Sequence, residues 1–117
     1  MTAKIQELWA TYSDAWRDVS SQARSRLLKA SVTDDVTFTG PGTSGRGVAE
    51  LISMLEEFQG TYPGAYFNTT VLIVQNNQSL ATWSMLDRTG AEILTGNSYA
   101  RWGDEGRIVH LAGFWQS

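Results

Sequence analysis

An α+β fold is predicted, with helices gathered on one face of a sheet, and three observations carry it. The last third of the chain, Leu80 to Gln116, reads as three consecutive strands joined by turns at Arg88-Thr89-Gly90 and Asp104-Glu105-Gly106. The first half carries apolar stripes at helical spacing. Helical and strand patterns are segregated rather than alternating, which argues against a parallel βαβ sheet.

The elements follow in order. Ile5, Leu8, Trp9, Tyr12, Ala15, Trp16 and Val19 form one stripe of an amphipathic first helix, with Lys4, Glu7, Asp14 and Arg17 off it. Ser20-Ser21 offers a cap for a second, shorter helix running to about Ala30, with Leu27 and Leu28 facing inward. Thr33-Asp34-Asp35 reads as a turn, Val36-Thr37-Phe38-Thr39 as a short strand, and Gly40 to Gly45 as a connecting loop. A third helix runs from about Gly47 to Gln59 on the stripe Val48, Leu51, Ile52, Leu55 and Phe58, and Gly60, Pro63 and Gly64 end it. Tyr66 to Gln75 is a strand, and Asn76-Asn77 turns it into the three strands that follow.

Composition bounds what such a fold can do. A chain of 117 residues is expected to form one domain, spanning 1–117, with a single core. Five Trp, four Tyr and four Phe either fill that core or line a cavity suited to flat, greasy ligands. The net charge is −3 and the nine basic residues are scattered, which argues against nucleic acid as the main partner. No run approaches the roughly 18 apolar residues of a membrane span. MTAKIQELW has no apolar h-region, so no signal peptide is read and a cytoplasmic location is expected. Cysteine is absent and His110 is the sole histidine, so no metal or other cofactor is expected.

One strand departs from simple alternation. Ile108 to Trp115 is apolar at odd and even positions alike, although a sheet covered by helices on one side should be polar on the other. A second copy of the chain is the simplest cover, and a homodimer through the sheet face is expected.

Residues spread along the whole chain carry a family resemblance. They are Trp9, Tyr12 and Ala15-Trp16, Arg24 with Leu27-Leu28, Asp34-Asp35-Val36, Pro41, Gly47, Pro63-Gly64, Trp83, Gly96, and Gly106-Arg107-Ile108 through Gly113-Phe114. In order and spacing this set resembles the nuclear transport factor 2-like superfamily, which includes ketosteroid isomerases and SnoaL-like polyketide cyclases. The resemblance implies a cone: three N-terminal helices on a strongly curved, mixed or antiparallel sheet with an internal pocket. On that reading Trp16, Phe38, Phe58, Trp83, Met85 and Trp115 are candidate ligand-lining residues.

The catalytic pattern of the ketosteroid isomerases carries over only in part. Their first-helix phenol, which donates to a developing oxyanion, corresponds to Tyr12. Their second oxyanion donor, a protonated Asp eight residues before the last turn's glycine, corresponds to Ser98, which still offers a hydroxyl. Their general-base Asp, just before a proline, corresponds to Gly40, which cannot accept a proton. The resemblance therefore implies an apolar small molecule as partner and leaves two functions open. One is acid–base chemistry of the isomerase or cyclase kind on an apolar cyclic substrate. The other is a non-catalytic ligand-binding or dimerisation module. A carboxylate or His110 inside the pocket favours the first; a pocket whose polar groups are Tyr12 and Ser98 favours the second.

Other motifs have plainer accounts. Gly40 to Gly45 spells G-x-G-x-x-G, but without βαβ units a turn-forming connector explains it better than dinucleotide binding. His110 falls on the same strand face as Ile108, Ala112 and Phe114, and reads as a structural or interface residue. Asp87 reads as a solvated turn residue, and Arg24 as an ion-pair partner of Asp34 or Asp35. Gly96 to Ala100 lacks the final glycine of a nucleophile elbow.

Overall fold

The structure, a computed structural model, describes residues 2–116, with side chains described from residue 4 onward. The elements are α1 (Thr2–Asp14), α2 (Ser21–Ser31), β1 (Val32–Gly40), β2 (Thr43–Arg46), α3 (Val48–Thr61), β3 (Tyr66–Gln75), β4 (Gln78–Leu86), β5 (Glu92–Trp102) and β6 (Ile108–Trp115). The six strands form one mixed sheet in the order β2-β1-β6-β5-β4-β3, with β1 parallel to β6 and the other neighbours antiparallel. The sheet is curled and not closed, with the helices on its concave side. The α+β expectation holds, and so do the four C-terminal strands and their turns.

Alternation along β4 is strict. Ser79, Ala81, Trp83 and Met85 are buried against the helices, while the residues between them face outward. Ser20 caps α2 as its sequence predicts, its hydroxyl accepting from the Ala23 amide at 3.1 Å.

Five expectations need correction. The first helix stops at Asp14 although its apolar stripe continues to Val19. Tertiary bonds capture the carbonyls beyond that point. Arg24 donates to the carbonyls of Ala15 at 3.0 Å and Arg17 at 2.8 Å, and Gln59 donates to that of Trp16 at 2.7 Å. Arg24 consequently pairs with Glu56 at 3.5 Å, not with Asp34 or Asp35, which are exposed. Thr33-Asp34-Asp35 is a bulged stretch inside β1 rather than a turn: from Val32–Ile108 to Thr37–His110, five steps of β1 match two of β6.

The expected loop at Gly40 to Gly45 is a hairpin. Pro41-Gly42 turns the chain, and β2 pairs back on β1 from Gly40–Thr43 to Thr37–Arg46. Gly60 lies inside α3 and does not end it. Finally, an irregularity between the Trp102–Ile108 and Arg101–His110 pairs flips the parity of β6. Ile108 is therefore buried in the core, while His110 lies on the convex face with Ala112 and Phe114. Much of the two-sided apolar character of β6 comes from this bulge.

Leu28, Val32, Val36, Leu51, Leu55 and Ile108 have no exposed surface and pack one end of the cone solid. At the other end the packing changes character.

Candidate functional site

Between α1, the C-terminal half of α3 and the concave face of β3 to β6 lies a chamber of about 160 Å³. All eight residues singled out from the sequence line it: Tyr12, Trp16, Phe38, Phe58, Trp83, Met85, Ser98 and Trp115. Trp83 is turned inward and only 6% exposed, which fixes the parity that its strand pattern left open.

The wall is a continuous run of rings. Tyr12 meets Trp9 at 5.1 Å and Trp16 edge-on at 6.4 Å between centroids. Trp16 meets Phe58 and Phe67, each at 5.2 Å, and Phe67 meets Trp83 at 4.9 Å, all three edge-to-face. Trp115 continues the run, 6.1 Å from Trp83. Flat rings lie on a sheet only where the strand beneath offers no side chain. Gly96 supplies that under Trp83, where a Cβ would stand 2.6 Å from the indole.

Sequence reasoning missed Phe67, Thr69, Trp9 and Met54 as lining residues. Phe67 and Thr69 sit just before a bulge between Thr69 and Val71, beyond which Leu72 packs against the core. No single alternation covers both halves of β3, and the bulge leaves no mark in the sequence. The ring density of the chain was the available signal for the others.

The chamber opens into a wider vestibule of about 430 Å³ between α3, β2 and Trp115, sharing Trp16, Phe38, Met54, Phe58 and Tyr62 with it. Glu50 and Glu57 stand on the vestibule side. The Glu50 carboxylate is already engaged, accepting from the Arg46 amide at 2.9 Å.

Polar groups inside the chamber are hydroxyls and indoles; among the described residues no carboxylate, histidine, lysine or arginine lines it. Burial raises the Tyr12 phenol far above its usual pKa of 10.0, and the Trp16 indole, which favours the phenolate, offsets only part of that. Tyr12 is thus a protonated donor at any physiological pH. Ser98 accepts from the Trp83 indole N–H at 2.9 Å, leaving its own O–H free.

The remaining candidates lie elsewhere. His110 is on the convex face, its Nδ1 2.6 Å from the Thr37 hydroxyl. Asp87 organises the β4–β5 turn, its carboxylate accepting from the Thr89 hydroxyl at 2.6 Å and the Thr89 amide at 2.8 Å. These bonds hold its pKa below the usual 3.8. Among the described residues no group of three or more His, Cys, Asp or Glu could hold a metal, and no helix is long and apolar enough to cross a membrane.

The sequence profile of the SnoaL-like domain matches residues 5–111. The chain belongs to the SnoaL-like domain family. Solved structures share its shape. A SnoaL-like protein from Agrobacterium tumefaciens, provisionally assigned as an isomerase, aligns over 100% of both chains at 22% identity with a TM-score of 0.90. A provisionally assigned ketosteroid isomerase from Kribbella flavida aligns over 98% of this chain and 79% of its own, at 19% identity and a TM-score of 0.74. A protein of unknown function with a cystatin-like fold, from Nostoc punctiforme, aligns over 98% and 90% at 13% identity and a TM-score of 0.79. At these identities the likeness is one of fold. No functionally curated protein matches the chain in sequence.

Within this SnoaL-like domain the position expected to hold a base has a physical occupant. A Cβ on Gly40 would stand 3.0 Å from the ring of Trp115, and one on Gly113 would stand 2.7 Å from it. The indole of Trp115 fills the room that a carboxylate at residue 40 would need.

Proposed function

We propose that this SnoaL-like domain is a binding protein for a small, largely apolar molecule, held in the aromatic chamber with Tyr12 and Ser98 as hydrogen-bond donors. The observation that carries this reading is the chamber's chemistry: rings, hydroxyls and indoles, with no group inside able to take a proton at neutral pH. An acid–base isomerase needs such a group within about 3 Å of the carbon it deprotonates. Ligand size follows from volume. A dry cavity of about 150 Å³ accommodates one benzene ring, and drug-sized ligands occupy about 300 Å³ or more. A single ring therefore matches the chamber, and any larger ligand extends into the vestibule.

Trp9, Trp16, Trp83 and Trp115 line the chamber, so intrinsic fluorescence is the direct assay. Titration with a panel of one- and two-ring aromatic compounds should change the emission. Tyr12→Phe and Ser98→Ala should each weaken the oxygen-bearing members several-fold. Silence across the panel, or deuterium exchange at a ligand's carbon catalysed by the wild type and lost in Tyr12→Phe, overturns the reading.

A homodimer through the convex face belongs to the same proposal. Ile73, Leu80, Tyr99 and Ala112 form one cross-strand row there, and Val71, Thr82, Asn97 and Phe114 the next. Val71, Ile73 and Phe114 are 49%, 58% and 61% exposed. Neither row carries a charge, so a second copy meets no like-charge repulsion. Light scattering at micromolar concentration should give twice the chain mass, reduced by Ile73→Glu; a monomeric wild type ends the proposal.

A further inference from the structure

Two hydroxyls in the chamber wall share an arrangement that the binding reading leaves unused. The Trp9 indole donates to the Thr69 hydroxyl at 3.0 Å, and the Trp83 indole donates to the Ser98 hydroxyl at 2.9 Å. An indole N–H can only donate, so it turns each hydroxyl the same way: the oxygen accepts from the indole, and the O–H proton is left for the chamber. Accepting one hydrogen bond also polarises a hydroxyl toward donating the next. The third oxygen, the Tyr12 phenol, is buried to 6% exposure and stays protonated. The donors come from three different elements, α1, β3 and β5, and so reach the chamber from different walls. Nothing in the lining balances a negative ligand, because no cation lines the chamber among the described residues.

We propose that the chamber reads hydrogen-bond acceptors. It selects neutral, one-ring ligands that carry a carbonyl, quinone or ether oxygen and no donor, and Thr69 is a specificity-determining residue beside Tyr12 and Ser98. A ligand hydroxyl or amine brings a proton that must displace an indole from its oxygen or remain unpaired, whereas a carbonyl meets protons already aimed at it. A carboxylate is excluded for want of a counter-charge. This inference rests on the chamber being a binding site, and the experiment separates the two.

Acetophenone and α-methylstyrene are near-isosteres that differ in C=O against C=CH₂, and 1-phenylethanol adds a donor at the same place. Affinities for the three are measured by calorimetry on the wild type, Thr69→Val, Thr69→Ser and Ser98→Ala, with the indole N–H signals followed by NMR. Acetophenone should bind several-fold tighter than 1-phenylethanol. It should weaken about 2- to 13-fold in Thr69→Val and in Ser98→Ala, the range of one neutral hydrogen bond, and recover in Thr69→Ser. α-Methylstyrene should change less than twofold in all variants, and acetophenone alone should shift the Trp9 and Trp83 indole signals. If all three bind and the variants leave the acetophenone to α-methylstyrene ratio unchanged, the acceptor code is wrong while the pocket survives. If 1-phenylethanol equals or exceeds acetophenone, the code is equally wrong. If none of the three binds, both readings fall.

Discussion

At one end of the cone Leu28, Val32, Val36, Leu51, Leu55 and Ile108 pack without exposed surface; at the other, Trp16, Phe58, Phe67, Trp83 and Trp115 enclose space. The two ends share the same sheet and the same helix α3, so topology alone does not explain the difference. Side-chain shape does. Branched aliphatic chains interdigitate and fill irregular gaps to crystal-like density. Rings are flat and stiff, and meet edge-to-face at about 5 Å, so a concave wall tiled with them keeps a hollow. Gly96 under Trp83, and Gly40 and Gly113 under Trp115, let the rings lie against the strands and keep that hollow open. The aliphatic end supplies stability and the aromatic end gives some of it up for a site.

Adjacent residues of α3 test this contrast most sharply. Leu55→Ala should destabilise by about 2–5 kcal/mol in chemical denaturation, because the solid end cannot relax around the lost volume. Met54→Ala, beside the existing hollow, should cost no more than about half of that while enlarging the chamber. Equal losses would show that the two ends are not differently packed. Gly96→Ala should come next, at about 1–3 kcal/mol, because its methyl has no room before the Trp83 ring; an altered Trp emission would place the strain there.

Smaller effects are expected from the polar groups. Tyr12→Phe should change stability at neutral pH by about 1 kcal/mol or less. Its mark is in alkali. The folded phenol is held above its usual 10.0, so the unfolded chain loses that proton first, and wild-type stability should fall as pH rises past 10.0. Tyr12→Phe should lack that part of the decline, and an identical decline in the variant would contradict the buried, protonated phenol. Asp87→Asn is the smallest. A carboxyl held below 3.8 stabilises the fold above that pH and ceases to as pH falls through its lowered value. The substitution should therefore flatten a shallow acid-side loss, read as the thermal midpoint between pH 5 and pH 2.

Legibility in the sequence follows range of interaction. The α2 cap at Ser20, the β3–β6 strands, their turns and the candidate lining residues were readable, because local alternation, helical stripes and turn chemistry specify them. The end of α1 at Asp14 was not, since Arg24 and Gln59 act on its carbonyls from 7 to 43 residues away. The β2 hairpin was taken for a loop, because Pro41 and Gly42 mark a turn without naming the strand that returns. Thr69 and His110 were misjudged or missed where bulges reverse alternation, in β3 and in β6.

By itself the sequence determined the element types, the α+β class, the richness in rings and the absence of a base at Gly40, since each is a property of residue type or of short-range spacing. Only the tertiary structure decided which face each ring and hydroxyl occupies. That depends on bulges, on a parallel β1–β6 pairing across some seventy residues, and on indole-to-hydroxyl bonds such as Trp9 to Thr69, 60 residues apart. Contacts of that range are fixed when the sheet curls and the helices close over it, and no local pattern encodes them.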